Sequence, residues 1–212
     1  MRYLRNGEGR ARFDFVTIQL HWLTVTLIAL QAATGLTLQY AHGVPVQPLL
    51  AVHRSGGALV WCVALARLLW RATFARFPAF PDWMSGAQKW IATRTEYALY
   101  ALLLFQPLTG LATTLMLGKP FALLLWTVPA ILPRNLELWQ MLFAAHRVGA
   151  YCLFAIIAGH AGMALLHHYV FGDEVLARMA PWVRRRVTAL PAARGAKAAR
   201  SLRRERGSFA PR

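Results

Sequence analysis

Cysteine is nearly absent from this chain. Its two cysteines, Cys62 and Cys152, lie 90 positions apart within apolar stretches. They read as small apolar packers, and neither a disulfide framework nor a cysteine zinc site can be assembled from them. Acid is also scarce, with 8 Asp and Glu against 24 Lys and Arg and a formal net charge of +16. No acidic residue lies in the middle of an apolar stretch, so a metal held there would have no carboxylate help. Lys and Arg are missing from the segment Tyr40 to Val52, and only Lys119 and Arg134 occur between Gly118 and Glu137. No short apolar run with a small-residue cleavage site precedes the first long apolar stretch, so the sequence predicts retention of the whole chain, with that stretch as its own insertion signal.

What the chain has in abundance is apolar length, 57% of its residues. Four stretches are long enough to cross a bilayer: about Phe15 to Gln39, Leu50 to Leu69, Tyr97 to Leu117, and Leu138 to Phe171. They predict an all-α protein, a four-helix transmembrane bundle. The run Phe121 to Leu132 is too short to span and is bounded by Pro120 and Pro133. It is expected at the interface or as a re-entrant cap. Cations concentrate before the first stretch (Arg2, Arg5, Arg10, Arg12) and around the second connection (Arg67, Arg71, Arg76, Lys89, Arg94). The positive-inside rule therefore predicts both termini in the cytoplasm.

The expected division is a membrane domain over 1–181 and an arginine-rich cytoplasmic tail over 182–212. The tail has a single acid, Glu205, and its composition predicts a disordered segment lying against anionic headgroups. Nucleic-acid binding, the other common meaning of a strongly basic chain, is not expected, because these cations flank the spans.

Four histidines break the apolar stretches. His146 and His160 are fourteen residues apart on one stretch, close to four helical turns, so both rings leave nearly the same face about 21 Å apart along the axis. One falls near each side of a hydrocarbon layer about 30 Å thick. His21 is early in the first stretch and His53 early in the second. With alternating helix directions, depth pairs His21 with His160 on the inner side and His53 with His146 on the outer side. Ionisable groups inside a span are costly, and four at two matching depths point to function rather than to isolated interhelical hydrogen bonds. Two facing neutral imidazoles suit the axial positions of an iron porphyrin, whereas zinc wants four ligands or an open site. No CxxCH motif is present. The prediction is two non-covalent haem b groups with both axial positions filled, suited to electron transfer.

Gly56 and Gly57 follow His53, Gly149 follows His146, and Gly159 and Gly162 bracket His160, with Gly35 facing the outer half from the first stretch. These serve either close helix packing or the approach of a flat macrocycle. Arg54 and Arg147 each follow an outer histidine; they are either interface anchors or cations that neutralise propionates and draw small anions to the outer face. Arg67 and Arg71 could serve inner propionates, although topology alone explains them. His167, two turns beyond His160, is too far along the helix to bind the same metal. With His168 and Tyr169 it sits either as an interfacial helix end or where a quinone headgroup would receive cytosolic protons. Gln19 is a weaker candidate for a quinone carbonyl.

The segments QLHWLT, AVHRSGGALVWCVALARLLWR and HRVGAYCLFAIIAGHAGMALLHHYVFGDEVLARM resemble the bacterial cytochrome b561 family over about Phe15 to Pro181. The resemblance implies a four-helix, di-haem protein of the bacterial inner membrane that exchanges electrons with ubiquinone. Its haem ligands fall on His21, His53, His146 and His160 and its quinone-side histidine on His167. The chain is most similar to the superoxide oxidase branch, which implies electrons passing from outer superoxide through both haems to ubiquinone. The alternative is a cytochrome b subunit between the quinone pool and a redox partner protein, such as a dehydrogenase or hydrogenase. The arginine-rich tail departs from the compact family pattern.

Overall fold

The computed structural model describes residues 13–75, 77–81 and 83–183. The tail beyond Val183 and the N-terminal arginines lie outside the described residues. Four long helices dominate: α1 (Phe15–Tyr40), α2 (Val46–Thr73), α3 (Gly86–Leu115) and α4 (Leu136–Leu166). Each is long and apolar enough to cross a membrane. Between α3 and α4 comes a hairpin of β1 (Phe121–Leu123) and β2 (Trp126–Val128). A π-helical turn (His167–Phe171) and a short α5 (Val175–Met179) follow α4.

The helix starts are written in the sequence. Asp14 caps α1 by accepting the Thr17 N–H at 2.9 Å, and the Trp70 indole donates to the same oxygen at 3.1 Å, which ties the start of α1 to the end of α2. Ser85 and Gln88 form a reciprocal capping box at α3. Asn135 caps α4 through the Leu138 N–H at 3.0 Å. α3 starts at Gly86 rather than at Tyr97, because its polar first turns are capped and continue the helix beyond the apolar stretch.

α1 packs on α2, α2 on α3 and α3 on α4; α1 and α4 do not form a packed pair. They meet at one end through Tyr40 and Tyr151, whose hydroxyls are 3.0 Å apart. The tight interior is small, built on Val60, Ala64 and Leu103 with Leu27, Ile28 and Leu104 around them. Most other large apolar side chains, among them Leu69, Phe105 and Val148, face outward, as expected where the surroundings are lipid rather than water. Cys62 and Cys152 are also exposed. They are not interior packers, because the faces of α2 and α4 that carry them have no neighbouring helix.

The short apolar run forms a cap, and its form is β. β1 and β2 pair antiparallel with Phe121 opposite Val128 and Leu123 opposite Trp126. A run this short cannot be assigned by periodicity. Leu124 turns the chain at φ 54 and donates its N–H to Ser55 Oγ at 2.7 Å, which fastens the hairpin to α2. The neck of the loop closes where the Asn135 N–H donates to the Met116 carbonyl at 3.0 Å. Gly118 sits there at φ 62, and a Cβ on it would lie 2.7 Å from the Arg134 nitrogen. The molecule thus has a hairpin end and a terminal end, the latter folded under by α5, whose Met179 carbonyl accepts the Trp22 indole N–H at 2.8 Å.

Candidate cofactor-binding site

His53 on α2 and His146 on α4 face each other near the hairpin end, with ring centres 6.3 Å apart and planes at 90°. Their tautomers follow from the hydrogen bonds. Thr34 donates its hydroxyl proton to the Leu30 carbonyl at 2.8 Å, so the contact between Thr34 Oγ1 and His53 Nδ1 at 2.8 Å must have the imidazole as donor. His146 Nδ1 lies 3.1 Å from the Gln106 carbonyl, which only accepts, and 3.1 Å from Thr109 Oγ1, whose own proton goes to that same carbonyl at 2.8 Å. Both rings therefore carry Nδ1–H and keep Nε2 as a free base.

The backbone makes room for these rings. A Cβ on Gly35 would lie 3.2 Å from His53 Cε1, and one on Gly110 would lie 2.9 Å from His146 Cε1. Gln106 donates its amide to the His146 carbonyl at 2.5 Å while lying across Gly149, where a Cβ would be 2.4 Å away. Gln31 lies across Gly56, with its amide nitrogen unpartnered among the described residues. These matches expose an internal repeat. Gln31, Thr34, Gly35 and Leu36 on α1 recur as Gln106, Thr109, Gly110 and Leu111 on α3, and His53-Arg54 with Gly56 recurs as His146-Arg147 with Gly149. Sequence reasoning missed Thr34, Thr109 and Gly110; the repeated Q-x-x-T-G-L string is the signal that could have found them.

The two arginines differ in setting. Arg54 is half-buried, donates Nε–H to Thr114 Oγ1 at 3.2 Å, and rests over the Phe121 ring of the cap at 5.5 Å. Arg147 is exposed, and its charge reaches Tyr40 and Tyr151.

His21 on α1 and His160 on α4 lie toward the terminal end, within electrostatic reach of each other. Neither ring makes a hydrogen bond to any described residue. α1 and α4, the helices that carry them, do not form a packed pair, and a Cβ on Gly159 or Gly162 would meet nothing within 4 Å. The repeat breaks here: its equivalent of His21 is Glu96, and its equivalent of His160 is Arg67. Glu96 pairs with Arg71 through both carboxylate oxygens. That acid was expected outside the spans, and the early start of α3 brings it into the helix. Arg67 donates to Thr24 Oγ1 at 3.2 Å and lies over the Tyr100 ring at 5.3 Å; its charge reaches both His21 and His160.

His167, on the π-helical turn, is buried and its Nδ1 is 2.6 Å from Asp173 Oδ2. Its ring lies against Trp83 with centres 5.2 Å apart. Both residues line a cleft of about 720 Å³ at the terminal end, shared with Gln88, Phe171, Glu174 and Arg178. Gln19 is exposed on α1 and does not line this cleft. His168 is buried beside it in sequence, with Nδ1 unpartnered.

Among the described residues no three His, Cys, Asp or Glu side chains converge as a metal cluster, so a site here offers two imidazoles and no more. Two imidazoles bonded to opposite sides of one iron at about 2 Å place their ring centres about 6.4 Å apart. The separation of His53 and His146 fits that requirement. A family model described as prokaryotic cytochrome b561 matches residues 12–182. The chain belongs to that family. It is a membrane electron-transfer protein, and the family implies haem b. Relatives include cytochrome b561 homolog 1 of Escherichia coli K12, 31% identical over 175 residues (80% of this chain, 97% of the relative). Cytochrome b561 homolog 2 of the same organism is 28% identical over 176 residues, 79% of this chain and 90% of the relative. A protein of Yersinia pestis called "Probable superoxide oxidase CybB" is 27% identical over 171 residues, 80% of this chain and 96% of the relative.

Proposed function

We propose that this cytochrome takes single electrons from superoxide at the hairpin end, which faces the periplasm, and delivers them through two haem b groups to ubiquinone at the terminal end, which faces the cytoplasm of a bacterial inner membrane. The observation that carries the reading is the polarity of the bundle. One histidine pair lies beside an exposed guanidinium at one end, and the other pair lies toward the end with the His167–Asp173 cleft.

His53 and His146 would hold the outer group through Nε2, and His21 and His160 the inner one. Haem b, when bound, would supply a reversible one-electron carrier. Superoxide needs only to lose an electron to become oxygen, so no open coordination position is required. Arg147 would draw the anion from solution; Arg54, fixed between Thr114 and Phe121, would neutralise a propionate.

Ubiquinone reduction consumes two electrons and two protons, so two superoxide, one ubiquinone and two protons give two oxygen and one ubiquinol. His167 can pass a proton at the cleft with its ring held through Nδ1 by Asp173. The similarity to the Yersinia pestis protein supports the reading.

A second reading, the membrane subunit of a larger redox complex, is favoured by the hairpin tip, where Leu125 is 96% exposed and Trp126 75% exposed. Such a tip could be covered by a partner protein. The test is replacement of both His53 and His146 by Ala. The proposed function predicts loss of superoxide-driven ubiquinol formation, and retention of it would overturn the reading.

A further inference from the structure

The two histidine pairs differ in what stands behind them. Behind the His53–His146 pair, Thr34 and Thr109 each send their own hydroxyl proton to a helix carbonyl and face an imidazole Nδ1–H as acceptor; His53 has Thr34 alone, whereas His146 shares its proton between Thr109 and the Gln106 carbonyl, each at 3.1 Å. Neither His21 nor His160 makes a hydrogen bond to any described residue. The difference is built into the repeat. Thr34 and Thr109 occupy equivalent positions three residues after Gln31 and Gln106, each followed by the glycine on which the ring lies. Both threonine side chains are held by the carbonyls one turn back, so the acceptor oxygen has a fixed position.

A metal-bound imidazole whose second nitrogen donates a hydrogen bond is a more basic ligand, and its tautomer and ring angle are fixed. A more basic ligand favours the oxidised, more positive iron.

We propose that Thr34 and Thr109 are positioning residues that lock His53 and His146 with Nε2 toward the metal and lower the reduction potential of the outer haem, leaving the inner haem untouched. This rests on the assignment of the histidines given above and goes beyond it. The consequence is directional. Electron density pushed onto the outer centre makes it a better donor to the inner centre, which biases transfer from the hairpin end to the terminal end.

The experiment is a potentiometric titration of the purified holoprotein, followed by visible and EPR spectra, for the native chain, Thr34→Val, Thr109→Val, and the conservative Thr34→Ser and Thr109→Ser. Thr26→Val, at another threonine of α1 whose hydroxyl bonds a helix carbonyl, controls for loss of a hydroxyl within a span. The expected result is that each Val variant raises the potential of one haem and shifts its EPR signal. The other haem stays unchanged, and Ser restores the native values. Should a Val variant lose one haem outright while Ser keeps it, the hydroxyl is again what holds the ligand. Two intact haems with native potentials in the Val variants would overturn the proposal, as would loss of haem from the Val and Ser variants alike. Failure of the haem assignment itself would be seen separately, as absence of bis-histidine haem from the native protein.

Discussion

The imidazoles of His53 and His146 stand 6.3 Å apart and at right angles, although 93 positions separate them in the chain. Each comes from a different helix, and each is backed through Nδ1 by a further one, His53 by α1 and His146 by α3. His146→Ala removes one of the two imidazoles proposed to hold the outer haem and leaves His21 and His160 intact. Haem per protein should fall from two to one, measured from the pyridine haemochrome against protein mass. Equal loss of both haems would contradict the pairing.

Gly110 tests how tightly the ring is seated. Alanine there would place a Cβ 2.9 Å from His146 Cε1, and this ring cannot move aside without breaking its bonds to Gln106 and Thr109. Overpacking of this kind costs about 1–3 kcal/mol. Gly110→Ala should therefore lower the denaturation temperature and weaken retention of one haem, whereas Gly86→Ala, where a Cβ meets nothing within 4 Å, should leave both unchanged.

At the terminal end, Asp173 accepts from His167 Nδ1 with one oxygen and from the Val175 N–H with the other. Asp173→Asn keeps the shape and removes the carboxylate oxygen that holds His167 Nδ1. Ubiquinol formation should slow about 100-fold, the low end of the scale of a lost proton-transfer aid. Reduction of the haems by an artificial donor should proceed at the native rate. An unchanged quinone rate would remove Asp173 from the account.

Asp14 gives a pH-dependent stability term outside the spans. Burial pushes its carboxyl up, and the bonds from the Thr17 N–H, the Thr17 hydroxyl and the Trp70 indole more than offset this, leaving it below the ordinary carboxylate range. A depressed carboxylate stabilises the fold above the unfolded value near about 4, and the contribution fades as pH falls through the folded value. Asp14→Ala should cost about 1 kcal/mol at neutral pH as a lost helix cap. The gap between the native chain and the variant in denaturation temperature should narrow below about pH 4.

The spans were legible because hydropathy and length decide them: the four apolar stretches and the four long helices share their cores. Fourteen-residue spacing put His146 and His160 on one face, and alternating helix direction brought His53 opposite His146. Other features depend on contacts that a linear reading does not contain. Thr109 and Gly110 acquire meaning only from α4, and the Q-x-x-T-G-L repeat that marks them is separated by 75 residues. The hairpin depends on Ser55 as a tether and on an unusual Leu124 backbone. Asp173 becomes the partner of His167 because the chain turns at Gly172, with φ 68. Arg54 and Arg147 look alike in sequence and diverge in space, since the cap covers one and leaves the other open.

The central claim is that superoxide is the electron donor. The most direct measurement follows haem absorbance of the purified protein under a steady enzymatic flux of superoxide, with superoxide dismutase as control, and then adds ubiquinone. The account predicts rapid haem reduction, abolished by the dismutase, and reoxidation with formation of ubiquinol on adding ubiquinone. Haems that ubiquinol reduces and superoxide does not would contradict it and leave the chain as the membrane half of a complex with a different donor.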